Sequence, residues 1–151
     1  MIFRFADHDD IDRLIDLRLE FFRDSKQDLP DLEPIIENIR TYLSEHLGRD
    51  CLALLAEDEG LIAATSFLIT FRRPPNPVMP NGRIGEIYNV MTRPAYRGRG
   101  LASKLVERLV EEGRRLDLTR IDLSATAESR KMYEKLGFQE HEGYTLMSLS
   151  L

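Results

Sequence analysis

The chain has 151 residues, of which 42% are hydrophobic and 31% charged, and its formal net charge is −5. This composition predicts a single domain over residues 1–151 with a sizeable core, and the negative charge argues against nucleic-acid partners. No apolar run approaches the ~20 residues of a membrane span, and the acidic start MIFRFADHDD lacks a signal-peptide core, so we expect a cytoplasmic protein without a membrane partner.

The first part of the chain predicts a strand and two helices. Ile2 to Phe5 alternates as a short strand does, and Asp7 is placed to cap a helix whose apolar residues keep helical spacing as far as Phe22. The segment SKQDLPD reads as a connector. A second amphipathic helix follows over residues 35–47, and Gly48 is its expected stop.

The middle of the chain predicts three strands. Cys51 to Glu57 and Leu61 to Phe71 are apolar runs joined by EDEG, which is typical of a hairpin. The segment RRPPNPVMPNG is too rich in proline to pair in a sheet and is expected to be a surface loop. Ile84 to Thr92 predicts the third strand, and a helix with apolar positions over residues 101–110 follows it.

The last part predicts a strand over Ile121 to Ser124, a helix over Ala127 to Leu136 ended by Gly137, and a final strand over Tyr144 to Leu151. The edge of that final strand could pair across the axis of a homodimer. The complete order, βααβββαβαβ, predicts a mixed α/β domain that contains a βαβ unit from residue 84 to residue 124.

Cysteine and histidine show no metal-binding pattern. Cys51 is the only cysteine and stands in the apolar run CLALLA, which favours packing in the core over redox or zinc chemistry. His8, His46 and His141 are scattered without HxxxH-type spacing. We therefore expect no metal cofactor.

The most informative stretch is EIYNVMTRPAYRGRGLASK, residues 86–104. A predicted strand stops at Pro94, a turn carries Arg97-Gly98-Arg99-Gly100, and a helical pattern begins. Glycine lets the backbone approach a ligand closely, and helix-opening amides beside arginines favour an anion. This design is typical of sites that hold the phosphates of a nucleotide-like cofactor.

Two familiar phosphate-binding motifs do not fit. A Walker A loop needs GxxxxGK[ST], but counting from Gly98 places Ser103 at the second glycine, and Leu105 follows Lys104. A Rossmann fingerprint needs a third glycine that GRGLAS lacks. Asp122 would be its ribose-binding acid, but it stands inside a short strand with only about thirty residues left for the rest of the sheet.

A third type of site matches. Residues 97–102 read [QR]xxGx[GA], which resembles the acyl-CoA pyrophosphate loop of GNAT-superfamily N-acetyltransferases. VMTRPAYRGRGLASKLV is similar to that family's signature strand, connection and helix, and SRKMYEKLGF is similar to its second signature. The element order agrees over the whole domain. The resemblance implies a GNAT-like fold and an acyltransferase that moves an acetyl group from acetyl-CoA, its co-substrate, directly to a primary amine.

The resemblance also implies cofactor contacts. The loop amides would surround the pyrophosphate, the amides after an expected bulge at Asn89 would face the acetyl carbonyl and pantetheine arm, and a threonine would replace the family's usual asparagine. The implied cofactor-binding positions are Val90, Met91, Thr92, Arg97, Gly98, Arg99, Gly100, Leu101, Ala102 and Thr126.

Tyr133, just before EKLGF, takes the position of the family's usual acid. A phenol with a reference pKa near ~10 is protonated at neutral pH and can donate to a leaving thiolate. The alternative is a tyrosine whose ring simply packs on the sheet beside Leu136.

Glu86 is the candidate base, because several family members carry a glutamate at this strand position. It would act through a water that Tyr88, on the same strand face, could help to order. The alternative is a strand-end carboxylate paired with Arg83 or Arg93.

The acceptor site is expected between the first two helices, the proline-rich loop and the end of the chain. Asp28, Asp31 and Glu33 are possible amine-binding carboxylates there, and the alternative is that each is a solvated surface charge. We expect a small or amino-acid-like amine, and a protein N-terminus or lysine is the second candidate. A non-catalytic acyl-CoA sensor would keep the glycine loop but lose the acid and base, so Tyr133 and Glu86 favour an enzyme.

Overall fold

The structure is a computed structural model that describes residues 1–24, 31–143 and 145–151. Most of the predicted connector lies outside these ranges. The strands are β1 (Ile2–Phe5), β2 (Cys51–Asp58), β3 (Leu61–Arg72), β4 (Arg83–Thr92) and β5 (Arg120–Asp122). The helices are α1 (Ile11–Asp24), α2 (Glu33–His46), α3 (Leu101–Arg115) and α4 (Arg130–Lys135), with short 3-10 turns at His8–Asp10 and Pro94–Tyr96.

The five strands form one sheet in the order β1-β2-β3-β4-β5. Neighbours are antiparallel except for β4 and β5, which are parallel and joined through α3. The prediction of a mixed α/β fold with a βαβ unit is therefore confirmed, as is the hairpin formed by β2 and β3.

Helices cover both faces of the sheet. One buried cluster joins Leu14 of α1 and Leu43 of α2 to Phe67 of β3. The other joins Leu105 of α3 to Leu68 of β3 and Ile87 of β4. Because both faces are buried, β2 and β3 have nearly continuous apolar sequences instead of an alternating pattern. None of the described helices is long and apolar enough to cross a membrane.

A partly buried ion-pair network joins α1 to the sheet. Asp7 caps the turn before α1 in a capping box with Asp10, which refines the predicted cap of the helix itself. Asp10 is 3% exposed and receives hydrogen bonds from Arg4 at 2.6 and 2.8 Å and from Arg13 at 2.8 Å. The Arg4 guanidinium lowers the pKa of Asp10 to about 2. Both arginines also reach Glu57 of β2.

The prediction of a final strand is wrong for residues 145–151, which form no strand, while Tyr144 lies outside the described residues. Leu146, Met147, Leu149 and Leu151 are all strongly exposed. Alternation of leucine and serine gives the segment strand propensity, but a strand also needs a partner edge, and the segment pairs with none in the described structure. Two bounds also differ from the prediction. Strand β5 ends at Asp122 instead of Ser124, and α4 begins at Arg130 instead of Ala127.

Candidate functional site

A bulge interrupts β4 where the sequence predicts one. Thr65 of β3 pairs with Met91 and Phe67 pairs with Tyr88, so two residues of β4 lie opposite the single residue Ser66. Asn89, the first of the two, has a φ of 55°. The extra residue disrupts the ladder locally and redirects the backbone groups that follow it. The prediction of a bulge at Asn89 is therefore confirmed.

The sheet also opens between β4 and β5. The parallel pairing covers only residues 84–86 of β4, and its last pair is Glu86 with Asp122. Residues 87–92 of β4 have no β5 partner in the described chain. An open fork therefore begins at Glu86, and the bulge lies within it.

The glycine loop forms an anion cradle at the end of β4. Gly98 and Gly100 have φ values of 76° and 72°, and a Cβ added at either would meet no atom within 4 Å. Within the described chain, the N–H groups of residues 98–103 have no backbone acceptor, and the first bond of α3 runs from the Lys104 N–H to the Gly100 carbonyl at 3.1 Å. Such a row of unpaired donors at a helix start fits a pyrophosphate.

Arg97 differs from the rest of this loop. Its N–H donates to the Pro94 carbonyl at 3.2 Å, so this amide is not among the unpaired donors. Its Nε donates to the Thr92 carbonyl at 3.2 Å, and its guanidinium lies 3.6 Å from the Asp24 carboxylate. Arg97 can therefore contribute positive charge to the cradle but not its main-chain nitrogen.

The other predicted cofactor positions surround the fork. Met91 is buried on the side of α1, Leu101 is buried at the start of α3, and Val90 and Ala102 are half-buried. Arg99 lies at the surface with its guanidinium 5.0 Å from the Tyr96 ring centroid.

Thr126 is engaged locally. Its hydroxyl lies 3.0 Å from the Ser129 hydroxyl and accepts the Ser129 N–H at 3.2 Å. Its carbonyl accepts the Arg130 N–H at 3.0 Å. Thr126 therefore stabilises the turn before α4, and a cofactor contact through its hydroxyl would compete with this bond.

Tyr133 of α4 is 6% exposed and packs edge-on against Phe138 with ring centroids 6.0 Å apart. Burial raises the pKa of Tyr133, which keeps the phenol protonated at neutral pH. Its hydroxyl has no hydrogen-bond partner among the described residues, and a cavity of about 260 Å³ adjoins it. The ring of Tyr133 therefore packs as the alternative interpretation expects, and its hydroxyl is available as the acid would need to be.

Glu86 is half-buried, and its carboxylate forms no hydrogen bond or ion pair with the described residues. The predicted alternative, a pair with Arg83 or Arg93, is wrong. Arg93 instead pairs with Glu20 of α1 at 2.6 Å. The side chain of Ile87 packs in the cluster with α3. Glu86 and Tyr88, on either side of it, therefore face α1.

Arg18 was not predicted from the sequence. This α1 residue donates to Asn89 at the bulge, and its guanidinium lies 6.0 Å from the ring centroid of Tyr88. The signal that was available in the sequence is an arginine between two apolar residues of an amphipathic helix, Leu17 and Leu19.

The described structure does not place the predicted amine-binding carboxylates at the fork. Asp28 lies outside the described residues, and Asp31 accepts the Glu33 N–H at 3.1 Å near the start of α2.

Residues 11–138 match the family model described as the acetyltransferase (GNAT) family. The chain belongs to this family. The resemblance found in the two sequence signatures is thereby confirmed, and the GNAT match includes β4, the glycine loop and α4.

Known GNAT proteins resemble the chain closely in structure and partly in sequence. The chain is 36% identical over 96 residues to glucosamine 6-phosphate N-acetyltransferase 1 of Oryza sativa subsp. japonica. The aligned region covers 62% of this chain and 56% of the rice protein. The chain thus spans little more than half the length of this relative.

Two crystal structures extend the comparison. A predicted acetyltransferase from Clostridium acetobutylicum, solved with acetyl-CoA, has a TM-score of 0.86 and 29% identity over 97% of this chain and 95% of that one. Glucosamine-6-phosphate N-acetyltransferase from Arabidopsis thaliana shares the fold, with a TM-score of 0.73 and 21% identity over 99% and 98% of the two chains.

Proposed function

We propose that the chain is an N-acetyltransferase that moves the acetyl group of acetyl-CoA to a primary amine. The observation that carries this proposal is the row of unpaired N–H groups at residues 98–103, placed beside the fork between β4 and β5. An anion cradle next to an open sheet suits a long ligand with a diphosphate at one end and a reacting group at the other.

Acetyl-CoA, when bound, would supply the acetyl group and the sulfur that leaves. The N–H groups from Gly98 to Ala102 would bind its diphosphate, and the charges of Arg97 and Arg99 and the dipole of α3 would add favourable field. The amides of Val90 and Met91 would bind the acetyl carbonyl after the bulge, with Thr92 beside them. No metal takes part in this proposal.

The reaction needs one proton donor and one proton acceptor. The amine nitrogen forms a bond to the acetyl carbon, and the bond from that carbon to sulfur breaks. Tyr133 donates its phenolic proton to the leaving sulfur, and its raised pKa means that it carries this proton at neutral pH. Glu86 removes the amine proton through a water, which Tyr88 helps to order. In the described structure the Tyr133 hydroxyl has no hydrogen-bond partner and the Glu86 carboxylate has no hydrogen bond or ion pair, so both groups are available to the reactants.

For the acceptor we propose a small amine. Glucosamine 6-phosphate, the compound in the name of the rice relative, is the first to test. A protein N-terminus or lysine is the second candidate, and a non-catalytic acyl-CoA sensor is the competing class. A cytoplasmic location and the absence of nucleic-acid and membrane partners stay predictions from the sequence.

A thiol-release assay tests the proposal. The full chain is mixed with acetyl-CoA and a panel of amino sugars, amino acids, simple diamines and peptides, and release of the free thiol is followed. We expect release with at least one small amine. Tight CoA binding by calorimetry without release for any amine would favour the sensor, and absence of CoA binding would overturn both.

We also propose that the chain forms a homodimer through its C-terminal segment. Met147, Leu149 and Leu151 alternate with serines and are 84–116% exposed. The outer edge of β5 has no strand partner in the described chain. A groove of about 520 Å³ runs along that edge, lined in part by Ile121, Leu123 and Phe138. The segment of a second copy would add a strand to the edge and cover the groove.

Light scattering after gel filtration tests the dimer. We expect a mass of twice the 17.5 kDa of the chain, and a monomer after removal of residues 144–151. A full-length monomer would contradict the proposal and favour the segment folding back on its own β5. The variant Leu149→Asp, which leaves the chain length unchanged, should also give a monomer.

A further inference from the structure

Arg18 is held at the bulge by three neighbours. Its Nη1 donates to the Asn89 side-chain oxygen. Its guanidinium lies 5.0 Å from the ring centroid of Phe22, one turn further along α1, and 6.0 Å from that of Tyr88 on β4. Contacts with two rings and an amide fix a planar group that would otherwise sample many rotamers.

No carboxylate neutralises Arg18 within the described residues. By contrast, Arg4, Arg13 and Arg93 each pair with at least one acidic side chain. A guanidinium carries five N–H donors, and Arg18 uses one of them on the neutral Asn89. A half-buried guanidinium with unused donors suits an anion, because a charge-assisted bond is about twice as strong as a neutral one.

The unpaired cation lies on the same sheet face as the unpaired carboxylate. Tyr88, which Arg18 contacts, and Glu86 both face α1, two residues apart and therefore about 7 Å from each other along the strand. The two positions are therefore neighbours on one face of the sheet, where a small molecule can lie along β4. One end of such a molecule would meet Glu86 at the fork, and the other end would meet Arg18 at the bulge.

We propose that Arg18 binds an anionic group of the acceptor, so that the preferred acceptor is an amine that also carries a phosphate or a carboxylate. This inference rests on the proposed function and adds the chemical class of its substrate. Arginine matches both groups because its fork of donors can bind two oxygens at once.

Pairs of acceptors that differ only in an anionic group test whether that group improves the acceptor. Glucosamine 6-phosphate is compared with glucosamine for phosphate, and β-alanine with β-alaninamide for carboxylate. With the wild-type chain, kcat/KM should be at least about 10-fold higher for the anionic member of one pair, and that pair identifies the group. Equal kcat/KM values within both pairs would overturn the inference and leave the acetyltransferase proposal intact.

Variants at Arg18 then identify the residue. In Arg18→Gln, KM for the anionic acceptor should rise about 10- to 100-fold, while kcat, KM for the neutral partner and CoA affinity stay unchanged. If the glutamine variant loses CoA affinity, Arg18→Met replaces it, because methionine keeps the packing against Phe22. The same rise in KM for the anionic acceptor is then expected in the methionine variant. Arg115→Gln, at a position whose side chain is 79% exposed, is the matched control for loss of one positive charge and should behave as the wild type.

Binding distinguishes failure of this inference from failure of the proposed function. If no amine is acetylated, calorimetry on the complex of the wild-type chain with CoA uses the same four compounds. Tighter binding of an anionic member that is lost in Arg18→Gln would support the inference without catalysis. Binding that is independent of charge, unaffected by the variant or absent would overturn it.

Discussion

Glu86 of β4 stands beside Asp122 of β5 as the last pair of the parallel ladder, and the two strands part immediately beyond it. Asp122 is already held by Arg120 at 2.9 Å. Glu86 has no such partner in the described structure, although both are carboxylates at the same level of the sheet. The fork therefore presents one free carboxylate to a ligand.

Replacement of Glu86 by glutamine should slow acetyl transfer about 100- to 10,000-fold, because an amide cannot accept the amine proton. CoA affinity, measured by calorimetry, should not change. Glu107→Gln, at an exposed position of α3, is the control. Full activity in Glu86→Gln would assign the base to ordered water alone.

Tyr133→Phe should lower kcat about 100- to 10,000-fold, since the leaving sulfur would lose its proton donor. The ring contact with Phe138 is kept, so CoA affinity and melting temperature should stay close to those of the wild type. Rapid-quench or steady-state thiol release measures the rate, and calorimetry measures the affinity. Unchanged turnover would restrict Tyr133 to packing.

Gly100→Glu should reduce CoA affinity about 100-fold or more, because the side chain and its charge would enter the anion cradle. The left-handed backbone also adds strain of about 1 kcal/mol for any non-glycine residue. Gly48→Glu separates the two effects, because Gly48 has a φ of 77° and open space around it but lies after α2. Equal CoA affinity in both variants would place the diphosphate elsewhere.

Protonation of Asp10 should contribute to the loss of stability in acid. Arg4 lowers the pKa of this carboxyl from 3.8 to about 2 in the folded state. The stabilisation is therefore complete above pH ~4 and is lost as the pH falls toward ~2. Asp10→Asn should lower the free energy of unfolding by ~2 kcal/mol at pH 7, and the difference from wild type should shrink at pH 2.

The matched control for this effect is Asp12→Asn, since Asp12 pairs with Arg40 at the surface with a side chain that is 77% exposed. Such a pair contributes about 0–1 kcal/mol. Urea unfolding of the three chains at pH 7, 4 and 2 measures the differences. A gap between Asp10→Asn and wild type that stays constant with pH would show that Asp10 acts through packing alone.

Local patterns made much of the fold predictable. The glycine loop lies within one stretch from β4 to α3, so its residues and its shape follow from adjacent positions. The bulge at Asn89 was inferred from family resemblance, because nothing in the residue types alone requires it. The alternation in residues 145–151 predicted a strand, and this prediction was wrong because an alternating pattern does not supply a partner edge.

The contact between Arg18 and Asn89 could not be predicted in this way. The two residues are 71 positions apart, and helical periodicity gives the buried face of α1 but not its position along the sheet. The free carboxylate of Glu86 is a similar case. Two nearby arginines made an ion pair plausible, and only the position of Glu20 on α1 shows that Arg93 is already engaged.

The two covered faces of the sheet have a consequence for how such a protein could diversify. Tyr133 belongs to the layer of α3 and α4, whereas Glu86 and Arg18 belong to the layer of α1 and α2. In the proposed reaction, the amides that open α3 and the phenol that protonates sulfur belong to one layer, and the residues that select the amine belong to the other. Mutations confined to the layer of α1 and α2 could therefore change the preferred amine without changing the affinity for acetyl-CoA.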